Sequence, residues 1–280
     1  MNVSCALATL STASISKMFA SKSIMIVGSS MTQRAYDSQH QGFGIGLSDW
    51  YSRFADVFLR GQSGYNTRWT LATLPDLIGP HKPDMAIIFL GNNDSITDGN
   101  GQSIPLVEFR TNMIAIMSIF RNVNPDIILL LLTPTRATKL GRVDSITAKY
   151  TDVIRELGAQ NERTAVVDLW DGRNAIEVRD LCDGLHLNVN GNKKVLSEIK
   201  ATITLKFNCM VPSCNDRKLK SNVEYPGEVN QSTFDSTDQI TESKEGRQLQ
   251  WCFPAWNILA GKSIDDVNNL IRLARIRSFL

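Results

Sequence analysis

Two adjacent serines, Ser29 and Ser30, follow the apolar run of residues 24–28, which reads IMIVG. An apolar run closed by a glycine predicts a buried strand that ends in a turn. Open α/β sheets collect functional side chains at the carboxyl ends of their strands, so one serine could be a nucleophile. Both serines could instead cap the following helix by accepting a backbone N–H of its first turn. This window alone favours the helix cap.

A serine nucleophile needs a general base, normally a histidine that a carboxylate orients. Of the three histidines in the chain, His81 lies in the turn sequence GPHKPD and is interpreted as a surface residue. His40 lies in a loop with no carboxylate well placed to orient it. His186 follows Asp183 by three positions, and a tight turn with this spacing brings a carboxylate to the imidazole Nδ1 and leaves Nε2 free. An isolated pair of this kind is also typical of a solvated loop.

Further candidate groups follow other apolar runs. Gly64 follows the second run, where a glycine lets a backbone N–H approach a ligand closely, and Asn93 follows the third run with a side-chain amide. The carboxyl ends of parallel strands meet at one edge of a sheet. We therefore expect a nucleophile, two hydrogen-bond donors and an Asp–His pair to meet in one crevice. These are the groups that acyl transfer requires.

The elements that must position these groups alternate between strands and helices. Most of the apolar runs are continuous, as strands buried on both faces should be. Strand–helix alternation predicts a parallel sheet that is covered on both faces. The predicted strands are residues 24–28, 57–61, 85–91, 127–134 and 165–170, and the predicted helices are residues 47–56, 68–78, 105–122, 143–157 and 190–205.

Composition excludes several classes of protein. The chain has 280 residues, of which 42% are hydrophobic and 21% charged, and its net charge of +2 gives no electrostatic argument for a nucleic-acid or anionic-membrane partner. No apolar run approaches the roughly 20 residues that span a bilayer, so stable membrane insertion is not expected. The five cysteines are scattered and odd in number, which argues against a disulfide framework. Cys209 and Cys214 have no histidine nearby to complete a zinc site.

Composition also divides the chain into four segments. Residues 1–21 predict a flexible leader on a cytoplasmic protein, with a targeting signal as the alternative. Residues 22–207 predict the folded domain. Residues 208–262 are predicted to form a polar, poorly ordered extension. Residues 263–280 are predicted to form an amphipathic helix with a basic end. That helix could dock on the domain or lie on a membrane surface.

Five motifs along the chain show a family resemblance. They are GSSMTQ from Gly28, RGQSGYNTRW from Arg60, LGNNDS from Leu90, ITAKYTDVI around Tyr150 and DLWD…LCDGLHLNVNGN from Asp168. Together they resemble the SGNH or GDSL-type hydrolases, and within them the isoamyl acetate-hydrolysing esterase group is the most similar. The resemblance covers residues 23–205.

The resemblance implies a three-layer α/β/α sandwich with about five parallel strands, in a flavodoxin-like arrangement. It implies Ser30 as the nucleophile, His186 as the base and Asp183 as the group that orients it. The oxyanion donors would be the backbone N–H groups of Ser30 and Gly64 and the amide of Asn93. The family needs no metal or other cofactor, and the implied partner is a small-molecule ester.

Ser29 departs from the family pattern, which usually has Gly-Asp-Ser, and a neutral serine cannot replace a charge-assisted contact. We expect reduced rather than abolished activity. The leading hypothesis is a serine esterase for small acyl esters, acting by two-step acyl transfer. One alternative is a weakened or inactive relative that binds an ester, a lipid or a protein. Another keeps hydrolase chemistry on acetylated sugars, thioesters or lysophospholipids. The sequence predicts no oligomeric state.

Overall fold

A computed structural model describes residues 22–97, 101–139, 141–160 and 162–212, together with Asp266. Five parallel strands form one sheet in the order β2-β1-β3-β4-β5, which confirms the predicted fold class. The strands are β1 (Lys22–Gly28), β2 (Ala55–Gly61), β3 (Met85–Phe89), β4 (Ile128–Leu132) and β5 (Thr164–Val167). Their ends lie within three residues of the predicted ones.

Side chains of β1 alternate between two separate hydrophobic cores, one on each face of the sheet. Ile24 and Ile26 lie in the first core, and Met25 and Val27 lie in the second. All residues of β3 and β4 are buried, as strands covered on both faces should be. The two cores make the domain a three-layer α/β/α sandwich.

Six helices within residues 22–212 cover the sheet. Those that pack on the first core are α2 (Phe43–Tyr51) and α6 (Val189–Lys206), and those that pack on the second are α3 (Thr67–Ile78), α4 (Leu106–Val123) and α5 (Asp144–Ala159). A four-residue helix, α1 (Ser30–Gln33), follows β1 directly. None of the helices in the described ranges is long and apolar enough to cross a membrane.

The predicted helix at residues 47–56 was wrong at both ends. Helix α2 begins at Phe43 and ends at Tyr51, because the residues from Ala55 onward pair with β1 as strand β2. Phe43, Leu47 and Tyr51 recur every four residues and are all fully buried. Two glycines in the first half of the helix obscured its start, since glycine has low helix propensity. Pro105 was predicted to lie in the first turn of α4 but occupies the N-cap position of that helix instead.

The described chain continues beyond residue 207, the predicted end of the domain. Residues 208–210 form a single 3₁₀ turn, and Met210 is buried in the first core. The predicted leader at residues 1–21 lies outside the described residues. So does the rest of the polar extension and almost all of the predicted helix at residues 263–280, where only Asp266 is described, as helical and exposed.

Candidate active site

The turn after β1 presents the two serines at the carboxyl edge of the sheet. Gly28 ends the strand at a point where a Cβ atom would lie 2.4 Å from the Phe89 carbonyl oxygen, so only glycine fits. Ser29 occupies the N-cap position of α1, but its side chain makes no capping hydrogen bond. Ser30 is the first residue of the helix, and its side chain points to a histidine. The helix-cap interpretation therefore fits Ser29 by position only, and does not fit Ser30.

A chain of two hydrogen bonds joins the predicted nucleophile, base and carboxylate. The Ser30 Oγ lies 2.9 Å from the His186 Nε2, although 156 positions separate the two residues. On the other side of the ring, the His186 Nδ1 lies 2.8 Å from the Asp183 Oδ2. An imidazole with Nδ1 protonated can donate to the carboxylate while its Nε2 accepts from the serine hydroxyl. The structure thus brings all three side chains together in the order that acyl transfer requires.

A tight turn holds Asp183 against His186. The second carboxylate oxygen, Oδ1, accepts backbone N–H groups from Leu185 at 3.1 Å and from His186 at 2.8 Å. The turn is closed by the Cys182 N–H, which donates to the His186 carbonyl at 2.8 Å. Both carboxylate oxygens are therefore engaged within the same short loop. The three-residue spacing places the carboxylate against the imidazole Nδ1.

Burial and nearby charges set the ionisation of the pair. Burial lowers the pKa of His186 below its ordinary 6.5, because the protonated ring loses hydration. The hydrogen bond to Asp183 opposes this shift, whereas the positive charges of Arg34 and Lys139 add to it. Burial acts to raise the pKa of Asp183, but the hydrogen bonds from His186 outweigh it and hold that pKa far below its usual range. A neutral imidazole therefore faces an ionised carboxylate at neutral pH.

The two predicted donor positions lie on neighbouring loops that are tied together. Gly64 has a φ of +80°, a left-handed conformation that favours glycine. Asn93 is buried, and its Nδ2 donates to the Tyr65 carbonyl at 2.8 Å, one residue beyond Gly64. The loop of Gly64 is also tied to α1, because the Ser63 N–H donates to the Gln33 side chain at 2.8 Å. The two predicted donor positions and helix α1 thus form one connected unit.

Residues 26–194 match the model of the GDSL-like lipase/acylhydrolase family. The chain belongs to this family. An isoamyl acetate-hydrolyzing esterase 1 homolog from Bos taurus is 34% identical over 212 residues, which cover 67% of this chain and 83% of that protein. A GDSL esterase/lipase from Arabidopsis thaliana is 32% identical over 202 residues, covering 63% of this chain and 83% of its own length. The similarity to the isoamyl acetate-hydrolysing group is confirmed.

Solved structures share the fold over about two thirds of the chain. An acetyl xylan esterase superposes with a TM-score of 0.55 at 20% identity, covering 65% of this chain and 99% of the other. A possible lipase from Chitinophaga pinensis superposes with a TM-score of 0.54 at 16% identity, covering 65% and 98%. At these identities the likeness concerns the fold alone.

Two buried residues of this GDSL domain were not predicted as part of the site. Arg142, in the loop between β4 and α5, donates from Nη2 to the Asn93 Oδ1 at 2.7 Å. Asp94 follows Asn93 and is fully buried, and its Oδ1 accepts the Thr67 N–H at 2.8 Å and the Thr67 hydroxyl at 2.5 Å. Neither contact is local in sequence, so no spacing rule could reveal it. The only signal in the sequence was the run of three amide and acidic residues, Asn92, Asn93 and Asp94, in the motif GNNDS.

Burial also raises the pKa of Asp94, to about 6, although the hydrogen bonds from Thr67 oppose the shift. The second oxygen of this carboxylate, Oδ2, is buried without a hydrogen-bond partner among the described residues. An ionised carboxylate with one unsatisfied oxygen is costly in a dry interior. Asp94 is therefore a costly buried carboxyl that directly follows Asn93 and binds Thr67, the first residue of α3.

The other two histidines lie outside the hydrogen-bonded chain of the GDSL site. The expectation that His40 lacks an orienting carboxylate was wrong, because its Nδ1 lies 2.8 Å from the Asp37 Oδ2. His81 is half-buried rather than a surface residue, with its ring against Phe58 and its Nε2 3.4 Å from Arg60. Among the described residues, no group of three or more His, Cys, Asp or Glu side chains could hold a metal ion.

Proposed function

We propose that the protein is a serine esterase that hydrolyses small acyl esters of the acetyl type. The observation that carries the proposal is the hydrogen-bonded chain from Ser30 through His186 to Asp183, with distances of 2.9 and 2.8 Å. A serine whose hydroxyl faces the free nitrogen of an oriented histidine is the arrangement that activates a nucleophile. The amide of Asn93 and the backbone N–H groups of Ser30 and Gly64 would receive the developing negative charge.

In the first step, Ser30 forms an acyl-enzyme. The Oγ bonds to the ester carbonyl carbon while its proton passes to the His186 Nε2, and the carbonyl oxygen becomes an oxyanion. The tetrahedral intermediate then collapses, and the bond to the alcohol oxygen breaks. His186 returns its proton to that oxygen, so the alcohol leaves neutral. Asp183 stabilises the transient imidazolium and keeps its proton on Nδ1.

In the second step, water releases the acid. His186 accepts a proton from a water molecule, whose oxygen bonds to the acyl carbon. Collapse of the second tetrahedral intermediate breaks the bond to Ser30, and His186 gives the proton back to the Oγ. The lowered pKa of His186 serves both steps, because the ring must be neutral each time it accepts a proton.

The names of the relatives support an acetyl-type acyl group. One is named for isoamyl acetate hydrolysis, and a structural neighbour is named an acetyl xylan esterase. Acetylated sugars, thioesters and lysophospholipids are the competing substrate classes for the same chemistry. A weakened or inactive binding protein is the competing function, and the neutral Ser29 beside the nucleophile is the observation that favours it.

A fluorophosphonate probe, which labels activated serines, tests the proposal. The unaltered protein is expected to become labelled and to hydrolyse p-nitrophenyl acetate faster than longer-chain esters, whereas Ser30→Ala should lose both properties. Ser118→Ala is a matched control, because that hydroxyl lies on α4 and donates to the Ile114 carbonyl. Equal labelling of the Ser30→Ala variant, or no labelling of either protein, would instead support the binding function.

A further inference from the structure

Arg142 is a buried arginine that binds one backbone carbonyl beside Asn93 and one in its own loop. Its exposed fraction is only 9%. Its Nε donates to the Asn92 carbonyl at 3.0 Å, and its Nη1 donates to the Lys139 carbonyl at 2.9 Å. With the bond from Nη2 to the Asn93 side chain at 2.7 Å, the guanidinium fixes both the backbone before Asn93 and the amide itself.

These contacts select one orientation of the Asn93 amide. The oxygen Oδ1 accepts from Arg142, and one hydrogen of Nδ2 is donated to the Tyr65 carbonyl at 2.8 Å. Turning the amide by 180° would place its oxygen against the Tyr65 carbonyl and its NH₂ against the guanidinium, and both contacts would be repulsive. In the selected orientation, the second hydrogen of Nδ2 can be donated to an oxyanion.

The positive charge of the guanidinium also polarises the amide. A hydrogen bond to a charged donor is shorter and stronger than a neutral one, and linked hydrogen bonds strengthen one another in a low-dielectric interior. Withdrawal of electrons toward Oδ1 makes the Nδ2 hydrogens better donors. A donor that is already oriented when charge develops needs no reorganisation during the reaction, which is the source of its catalytic effect.

From these contacts we propose that Arg142 is a positioning residue for the oxyanion hole, acting through Asn93. The inference rests on the esterase function proposed above. Arg142 touches no reacting atom in this scheme. Its contribution is expected in the transition state, where the oxyanion exists, rather than in the binding of the neutral ester.

A double-mutant cycle between Arg142 and Asn93 tests the proposal. Arg142→Met is expected to lower kcat on p-nitrophenyl acetate by about 10- to 100-fold with KM within about twofold, because only transition-state stabilisation is lost. Arg142→Lys keeps the charge but not the planar fork of donors, so it should recover part of the loss. In an Asn93→Ala background, Arg142→Met should reduce kcat further by less than about threefold.

Arg136→Met is the matched control, since Arg136 belongs to the same loop and is half-buried against the Trp170 ring without contacting Asn93. Its kcat should stay close to that of the unaltered protein. An equal loss of kcat in Arg136→Met would mean that the loop, rather than the contact to Asn93, matters, and would overturn the proposal. Fully additive losses in the cycle would overturn it as well.

The cycle separates failure of this inference from failure of the esterase function. If Asn93→Ala retains full kcat, the oxyanion role of Asn93 is itself wrong. If Asn93→Ala loses activity while Arg142→Met does not, only the positioning role fails. Should Arg142→Met not fold, Arg142→Lys and Arg142→Gln replace it in the same cycle. For either replacement, a loss of kcat that disappears in the Asn93→Ala background supports the proposal, and a persistent loss refutes it.

Discussion

The Nζ of Lys139 lies 3.5 Å from the Asp183 Oδ2, the same oxygen that faces the His186 ring. The ammonium group and the imidazole therefore share one carboxylate oxygen. A positive charge beside this pair disfavours a second positive charge on the imidazole, and Lys139 and Arg34 both contribute to the lowered pKa of His186. The loop between β4 and α5 thus affects the ionisation of His186 and also holds the Asn93 amide through Arg142.

The pH dependence of hydrolysis should report this charge effect. The base must be neutral to accept a proton, so kcat/KM should rise with pH and level off above the pKa of His186. Because that pKa is lowered, the midpoint should lie below the ordinary 6.5. Lys139→Gln and Arg34→Gln each remove a positive charge and should move the midpoint to higher pH. Initial rates at subsaturating ester from pH 4 to 9 measure it.

Lys206→Gln is the control for these charge changes, because Lys206 is exposed in the last turn of α6. It should leave the midpoint where it is in the unaltered protein. A midpoint that moves to lower pH in Lys139→Gln or Arg34→Gln would contradict the assignment of His186 as the base whose protonation limits the rate.

Removing the Asn93 amide should reduce turnover strongly. Asn93→Ala is expected to lower kcat by about 100- to 1,000-fold, the usual effect of removing one oxyanion donor, with little change in KM. Asn93→Asp retains an acceptor for Arg142 but has no Nδ2 hydrogen to donate, so its loss should be at least as large. Steady-state kinetics on p-nitrophenyl acetate give both values. Asn124→Ala removes a half-buried amide that binds the Pro83 carbonyl and should retain normal turnover.

Ser29 allows a test of whether the altered GDSL motif limits the rate. Ser29→Asp places a carboxylate at the N-cap of α1, where the serine side chain makes no capping bond. A capping bond from a carboxylate adds about 1 kcal/mol to stability. The rate rises only if the new contact also stabilises the transition state, where about 1 kcal/mol corresponds to a fivefold higher kcat. Ser29→Asn, which can cap without a charge, separates the charge from the hydrogen bond. If Ser29→Asp leaves kcat unchanged or lowers it, Ser29 does not limit the activity.

Patterns of apolar residues were sufficient to predict the sheet. The runs that became β3 and β4 are continuous because both faces of those strands are buried. The meeting of Ser30 and His186 also follows from topology, since the carboxyl ends of parallel strands lie at one edge. Helix α2 was misplaced because its two glycines are required by close packing against Ala35 and Leu196, contacts that are not visible in a local window.

The supports of the site could not be predicted in this way. Arg142 binds Asn93 across 49 positions, and Thr67 binds Asp94 across 27. Each support depends on two segments that are distant in sequence and adjacent only in the folded domain. Residue type does not indicate that these side chains are buried, because arginine and aspartate are mostly exposed in folded proteins.

The buried carboxyl of Asp94 should make stability depend on pH. Its pKa is about 6 in the folded protein and 3.8 when unperturbed, so the folded state keeps the proton over a pH range in which the unfolded state releases it. Stability contributed by this residue is therefore present below about pH 4 and is lost as the pH rises through 6. The loss amounts to about 3 kcal/mol, since one pKa unit corresponds to about 1.4 kcal/mol.

Asp94→Asn removes the titration and keeps the shape of the side chain. The free energy of unfolding of the variant, minus that of the unaltered protein, should therefore increase by about 2 kcal/mol between pH 4 and pH 7. Urea unfolding at the two pH values measures this difference, and contributions of all other titrating groups cancel in it. Asp126→Asn, at an exposed carboxylate beside Arg163, should show no such increase. A difference that stays constant or decreases with pH would mean that Asp94 is not held with a raised pKa.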